Sequence, residues 1–78
     1  MKTMTCKQLG GACEMEFKAN TFEEIAELSK NHGTKMFQAG DTAHLAAMGA
    51  MKDLMQKPGA IQKWFMGKKA EFDALSDD

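Results

Sequence analysis

Cys6, Cys13, His32 and His44 are the only cysteines and histidines in this chain of 78 residues. Thiolate sulfur and imidazole nitrogen are the donors of tetrahedral zinc sites, and a thiol beside an imidazole is also the arrangement of a poised nucleophile or redox centre. The spacing has neither compact form. Six residues separate the cysteines and eleven separate the histidines, whereas a ββα zinc finger uses Cys-x2–4-Cys with His-x3–5-His and redox pairs are commonly Cys-x-x-Cys. Three roles are therefore open to these side chains: buried core, metal or thiol-redox centre. Core is the first expectation, because cysteine behaves as a small buried hydrophobe and a histidine on an apolar stripe is commonly a satisfied interior residue. No phosphate loop, nucleophile elbow or Ser/His/Asp set accompanies them, so no catalytic residue is assigned and nothing points to an enzyme. Glu23, Glu24 and Glu27 form a solvated helical face that suits a helix N-terminus.

The elements that must position these residues are legible from periodicity. Met4 and Cys6 alternate on one face of a first run, and Cys13, Met15 and Phe17 on one face of a second, with Glu14, Glu16 and Lys18 opposite. Period two means strands, and Gly10-Gly11 between them supplies the loop of a β-hairpin spanning 2–19. Asn20-Thr21 followed by Glu24 is a capping box opening a helix over 21–39, whose stripe is Phe22, Ile25, Ser29, His32 and Met36 and whose end is Gly40. Gly33, unfavourable in a helix interior, marks a place where that helix could break. Asp41 caps a second helix over 41–56, with Leu45, Met48, Met51 or Lys52, and Met55 as its stripe. Pro58 suits the first turn of a third helix over 58–75, with Ile61, Trp64, Phe65, Lys68, Phe72 and Leu75 inward. Ser76-Asp77-Asp78 forms a frayed tail. The predicted class is α+β, one domain over 1–78: a two-stranded antiparallel β-hairpin followed by three α-helices.

Geometry then brings some of the chemical residues together. From Ala19 back to Cys13 the second strand covers about 20 Å. From Thr21 to His32 the first helix covers about 16 Å. A short connection folds one onto the other, so Cys6, Cys13 and His32 converge at the Gly-Gly end of the sheet. His44 joins them if the second helix passes overhead. No cofactor is demanded by any motif, and zinc is the ion this set would take.

Composition narrows the function classes. Ten lysines and no arginine face eleven acidic residues for a net charge of −1. With the lysines dispersed there is no basic stripe for nucleic acid, and bidentate guanine readout is arginine chemistry. The longest uncharged run, Thr42 to Met51, is shorter than the ~20 residues a bilayer demands, so no membrane association is expected. No secretory signal opens the chain, which places it in the cytoplasm, where cysteines stay reduced. For 8.6 kDa, hydrophobic burial and ordering entropy are of equal size, so a homodimer or a protein partner is expected to support the fold. Met48, Met51 and Met55 at helical spacing, with Trp64-Phe65, are its expected contact surface, methionine being an adaptable contact residue. The same thioethers are also Cu(I) donors, a weaker fit to a helical stripe. The favoured function is a self-associating, non-enzymatic interaction module; the alternative is a zinc or thiol-redox centre at Cys6, Cys13 and His32.

The segments Cys6-Lys7-Gln8-Leu9-Gly10-Gly11-Ala12-Cys13, Thr21-Phe22-Glu23-Glu24 and His32-Gly33 resemble a family of small stand-alone proteins catalogued as a domain of unknown function. The resemblance covers nearly the whole chain and rests on Cys6, Leu9, Gly10, Cys13, His32 and Gly33. It implies a self-contained protein in which hairpin plus first helix is the common unit and the Met-rich helices, with His44, are an addition.

Overall fold

A computed structural model describes residues 1–77. Strand β1 (Lys2–Thr5) leads into a single 3-10 turn (Lys7–Leu9) and then strand β2 (Glu16–Ala19), followed by helices α1 (Phe22–Ala39), α2 (Thr42–Met55) and α3 (Ala60–Ala74). The strands pair antiparallel with Met4 opposite Phe17 and Lys2 opposite Ala19. The ββααα order is the predicted one. The expected tail residue Asp78 lies outside the described residues. No helix among the described residues is long and apolar enough to cross a membrane.

One face of the hairpin makes the core. Met4, Cys6, Leu9, Phe17, Ala19, Phe22, Ile25 and Phe72 are buried together, with Cys13 and Leu75 packed against them. A two-stranded sheet has too little area to hold itself together in water, so α1 lies across it and α3 returns to its edge. Phe72 and Phe65 meet Phe22 edge-to-face at 5.9 and 5.0 Å between centroids. Lys2 donates to the Asp73 carbonyl at 3.1 Å while its ammonium sits 5.2 Å from the Phe72 ring centroid.

Local chemistry sets the helix ends. The Thr21 hydroxyl oxygen accepts from the Glu24 N–H at 3.2 Å, the forward bond of the capping box, and the Glu24 carboxylate accepts from the Thr21 hydroxyl at 3.1 Å. Gly40, left-handed at φ 70°, ends α1, a conformation that costs glycine little. α1 does not break at Gly33. That glycine sits where α1 meets α2, and a Cβ on it would lie 3.6 Å from Met48 Cε, ordinary contact. Gly33→Ala is therefore expected to stabilise the protein by about 0.5–1 kcal/mol through helix propensity. Thermal or urea unfolding checks it, and a destabilised variant would show that α1 needs the gap.

Four expectations are corrected. Met15 is 51% exposed rather than inward, because β2 begins only at Glu16 and the chain bends at Ala12 and Cys13, so strand parity does not carry back from Phe17 to Met15. On α2 the inward residue is His44, and Leu45 is 38% exposed. On α3 Phe65 is exposed although its ring edge reaches Phe22. Finally, α3 starts at Ala60: Gly59, at φ 75°, occupies the N-cap and Pro58 belongs to the turn before it. The molecule is thin, with Cα extents of 33 × 30 × 15 Å.

Candidate metal centre

Cys6 is placed by the turn that follows β1. Thr5 N–H donates to Gln8 Oε1 and Gln8 N–H to Thr5 Oγ1, while the Cys6 carbonyl accepts from Leu9 N–H at 3.0 Å and Gly11 N–H at 2.8 Å. Gly10 makes the reversal at φ 89°, and Gly11 lies so close to Cys6 that any Cβ there would overlap Cys6 Sγ. The two glycines serve different needs: a left-handed backbone at Gly10, steric room for a sulfur at Gly11. Cys13 is held opposite, its carbonyl accepting from Lys7 N–H at 2.9 Å.

His32 comes from the middle of α1, half-buried, with its ring 5.6 Å from Phe17 and 5.3 Å from His44. His44 comes from the first turn of α2 and is buried. Asp41, the N-cap of α2, holds it twice: its Oδ1 accepts from the His44 backbone N–H at 2.9 Å and from ring Nδ1–H at 2.8 Å. With Nδ1 donating, Nε2 carries the free lone pair and faces the sulfurs. That is the carboxylate–histidine pairing that orients metal-bound imidazoles.

The four donors close into one cluster. Cys13 Sγ lies 3.3 Å from His32 Nε2 and Cys6 Sγ lies 3.6 Å from His44 Nε2. All four residues place a donor atom within 4.8 Å of the others. Zinc–sulfur and zinc–nitrogen bonds of about 2.3 and 2.0 Å in a tetrahedron imply donor separations of about 3.3–3.8 Å, so the set is near closure around an ion. Sequence reasoning had joined Cys6, Cys13 and His32 and made His44 conditional on the path of α2. The structure brings all four together.

The electrostatics distinguish the thiols. Burial pushes the Cys6 thiol up from its ordinary value, whereas the Met15 backbone N–H beside the Cys13 sulfur, with His44 nearby, draws the Cys13 thiol down. The carboxylate of Asp41 raises His44, and His44 lowers Asp41 in return. In the metal-free protein His44 thus contributes stability that is fully present below its ordinary 6.5 and lost as pH rises through the raised value. Asp41 contributes above its ordinary 3.8, and that contribution is lost as pH falls through the lowered value. Asp41→Asn should therefore cost the metal-free protein most between about pH 4 and 6.5 and progressively less above neutrality. Urea unfolding across that range checks it; a cost independent of pH would leave the backbone cap as the whole effect.

The predicted contact residues are divided. Met48, Met51 and Met55 line a cavity that also touches Cys6 and His44, while Met51, Met55, Trp64 and Phe65 line a second one beside Phe22. Two participants escaped the sequence reading, Asp41 as partner of a donor and Gly11 as the space for Cys6. The signal for the first was present as Asp-x-x-His at a helix start, since an N-cap carboxylate meets the third helical residue. No protein family, curated protein or solved structure matches this chain, so function is argued from this geometry.

Proposed function

We propose that this is a small metal-binding protein whose centre, Cys6, Cys13, His32 and His44, takes one zinc ion. The convergence of four donor atoms within 4.8 Å from a turn, a loop and two helices carries this reading. Two sulfurs and two nitrogens suit zinc among common divalent ions, which takes four such donors tetrahedrally. Two thiolates and two neutral imidazoles would also balance its charge in a half-buried site. With all four positions filled by protein, the ion ties α1 and α2 to the hairpin and does no chemistry of its own. A reducing compartment such as the cytoplasm keeps both thiols available.

Elemental analysis of protein purified without a tag tests this. One zinc per chain, and tetrahedral cobalt(II) absorption on substitution, are expected. Absence of both would remove the reading. A second reading, self-association through α2 and α3, is favoured by Met55, Phe65 and Met66, which are 63%, 44% and 69% exposed. The accessible surface of 5287 Å² also exceeds the roughly 4,700 Å² usual for this mass. Sedimentation equilibrium at micromolar concentration checks it, and a mass of 8.6 kDa throughout would exclude it.

A further inference from the structure

The four donors are not equally enclosed. A cavity of about 280 Å³ opens beside the centre; Cys6 and His44 form part of its wall, with Leu9, Met48 and Met51 around them and Lys52 contributing the only charged side chain apart from the donors. Cys13 and His32 do not line it, and the ring of Phe17 packs on His32. Cys6 and His44, only 3% and 6% exposed, thus border this apolar chamber rather than bulk solvent, while Cys13 and His32 are half-buried away from it. A site that served only to lock the fold would gain nothing from that chamber, since closed structural sites hold their ion away from exogenous ligands.

We propose that this cavity is a port through which a small thiol reaches the bound metal and replaces one protein donor, making the centre an exchangeable zinc site. The proposal rests on the zinc reading above. Three features select a thiol. The chamber ends on two donors of a soft-tolerant metal, for which thiolate is a strong ligand. Its walls are aliphatic and thioether, which suit a short carbon stem and disfavour a hydrated cation. The lining holds one ammonium and no carboxylate, so it favours an anion over a second metal ion. Lys52 has no ion pair among the described residues.

The exchange balances without oxidant or proton. A thiolate sulfur donates its electron pair to zinc, the bond from zinc to His44 Nε2 breaks, and that pair returns to the nitrogen. His44 is the neutral one of the two donors that face the cavity. Its ring stays tethered through Nδ1–H to Asp41, ready to rebind when the thiol leaves. Zinc remains meanwhile on Cys6, Cys13, His32 and the incoming sulfur, and from there it passes to a competing acceptor.

The test uses the zinc-loaded full chain and follows transfer of zinc to excess chromophoric chelator, with 2-mercaptoethanol or with ethylene glycol as its oxygen analogue. The thiol is expected to accelerate transfer about tenfold or more, a change in release rate, and the glycol not at all. Ala47→Phe on α2 and Ser29→Phe on α1 each add bulk to the cavity lining at a residue that is not a donor. Each should remove most of the thiol acceleration while leaving zinc stoichiometry and the thiol-independent rate unchanged. Lys52→Glu, an exposed substitution that does not threaten the fold, should reduce the acceleration several-fold. No acceleration by thiol, or the same acceleration in the filled and charge-reversed variants, overturns the port. Failure of the wild type to retain one zinc per chain is a separate result that removes the zinc reading and the port with it.

Discussion

Loading the metal-free protein with zinc at a free concentration a thousand times its dissociation constant is expected to raise the thermal midpoint by about 15–30 °C. A ligand at that ratio stabilises the folded state by about 4 kcal/mol, and in a domain of this size each kcal/mol moves the midpoint by about 4–8 °C. The effect is large because the ion joins parts of the chain that little else joins. α2 contributes to the buried interior of the described residues only through His44, and α3 through Phe72. Cys13→Ser and His32→Ala should each abolish the shift. Both residues are half-buried, so the metal-free variants should unfold within a few kcal/mol of the metal-free wild type. Calorimetry with and without zinc measures this. A shift of a degree or two, or one that survives Cys13→Ser, would mean that the donors do not act as a metal site.

Gly11→Ala is expected to be the most damaging substitution outside the donor set. Its Cβ would overlap Cys6 Sγ and lie 3.0 Å from the Cys6 carbonyl oxygen, and Cys6 is only 3% exposed in a packed surrounding. Forcing a methyl into such a place costs about 1–3 kcal/mol. Displacing the sulfur also misplaces a donor, for which about a 100-fold loss of zinc affinity is expected, the upper end of what disturbing a ligand's support costs. Gly10→Ala makes the control. Its penalty is the left-handed backbone at φ 89°, about 1–2 kcal/mol, together with a tight approach of the new Cβ to Trp64 at 3.1 Å and Met51 at 3.3 Å, with affinity less affected because no donor is struck. Competition titration against a calibrated chelator separates the two, and a Gly11→Ala protein that binds zinc like the wild type would show that the turn can move the sulfur aside.

The candidate site was partly legible in the sequence, and the reason is the range over which each signal acts. Placing Cys13 near His32 needed only a strand, a short connection and a helix folding back on it. Placing His44 needed the direction of α2, which depends on how Gly40 and Asp41 turn the chain and on how two helices cross. The inward face of α2 was missed by one residue for a related cause. Alanine, leucine and methionine occupy nearly every side of that helix, so its apolar stripe is broad and Leu45 competes with its neighbour. The two hydrogen bonds that Asp41 Oδ1 accepts from His44 settle the competition in favour of His44.

By itself the sequence determined what depends on near neighbours: two strands from period two, three helices from their periodicity with the caps of the first two, the Gly10-Gly11 loop between the strands, and the α+β order of the whole. Only the tertiary structure decided that four donors from distant stretches meet, that two of them face an open chamber, and that Gly11 is reserved for a sulfur. Periodicity and capping report the backbone's local torsions, and these survive reading one residue after another. Convergence of Cys6, Cys13, His32 and His44 depends on the summed rotations of two turns and on helix packing, where a one-residue rotation of about 100° carries a side chain from the core to solvent.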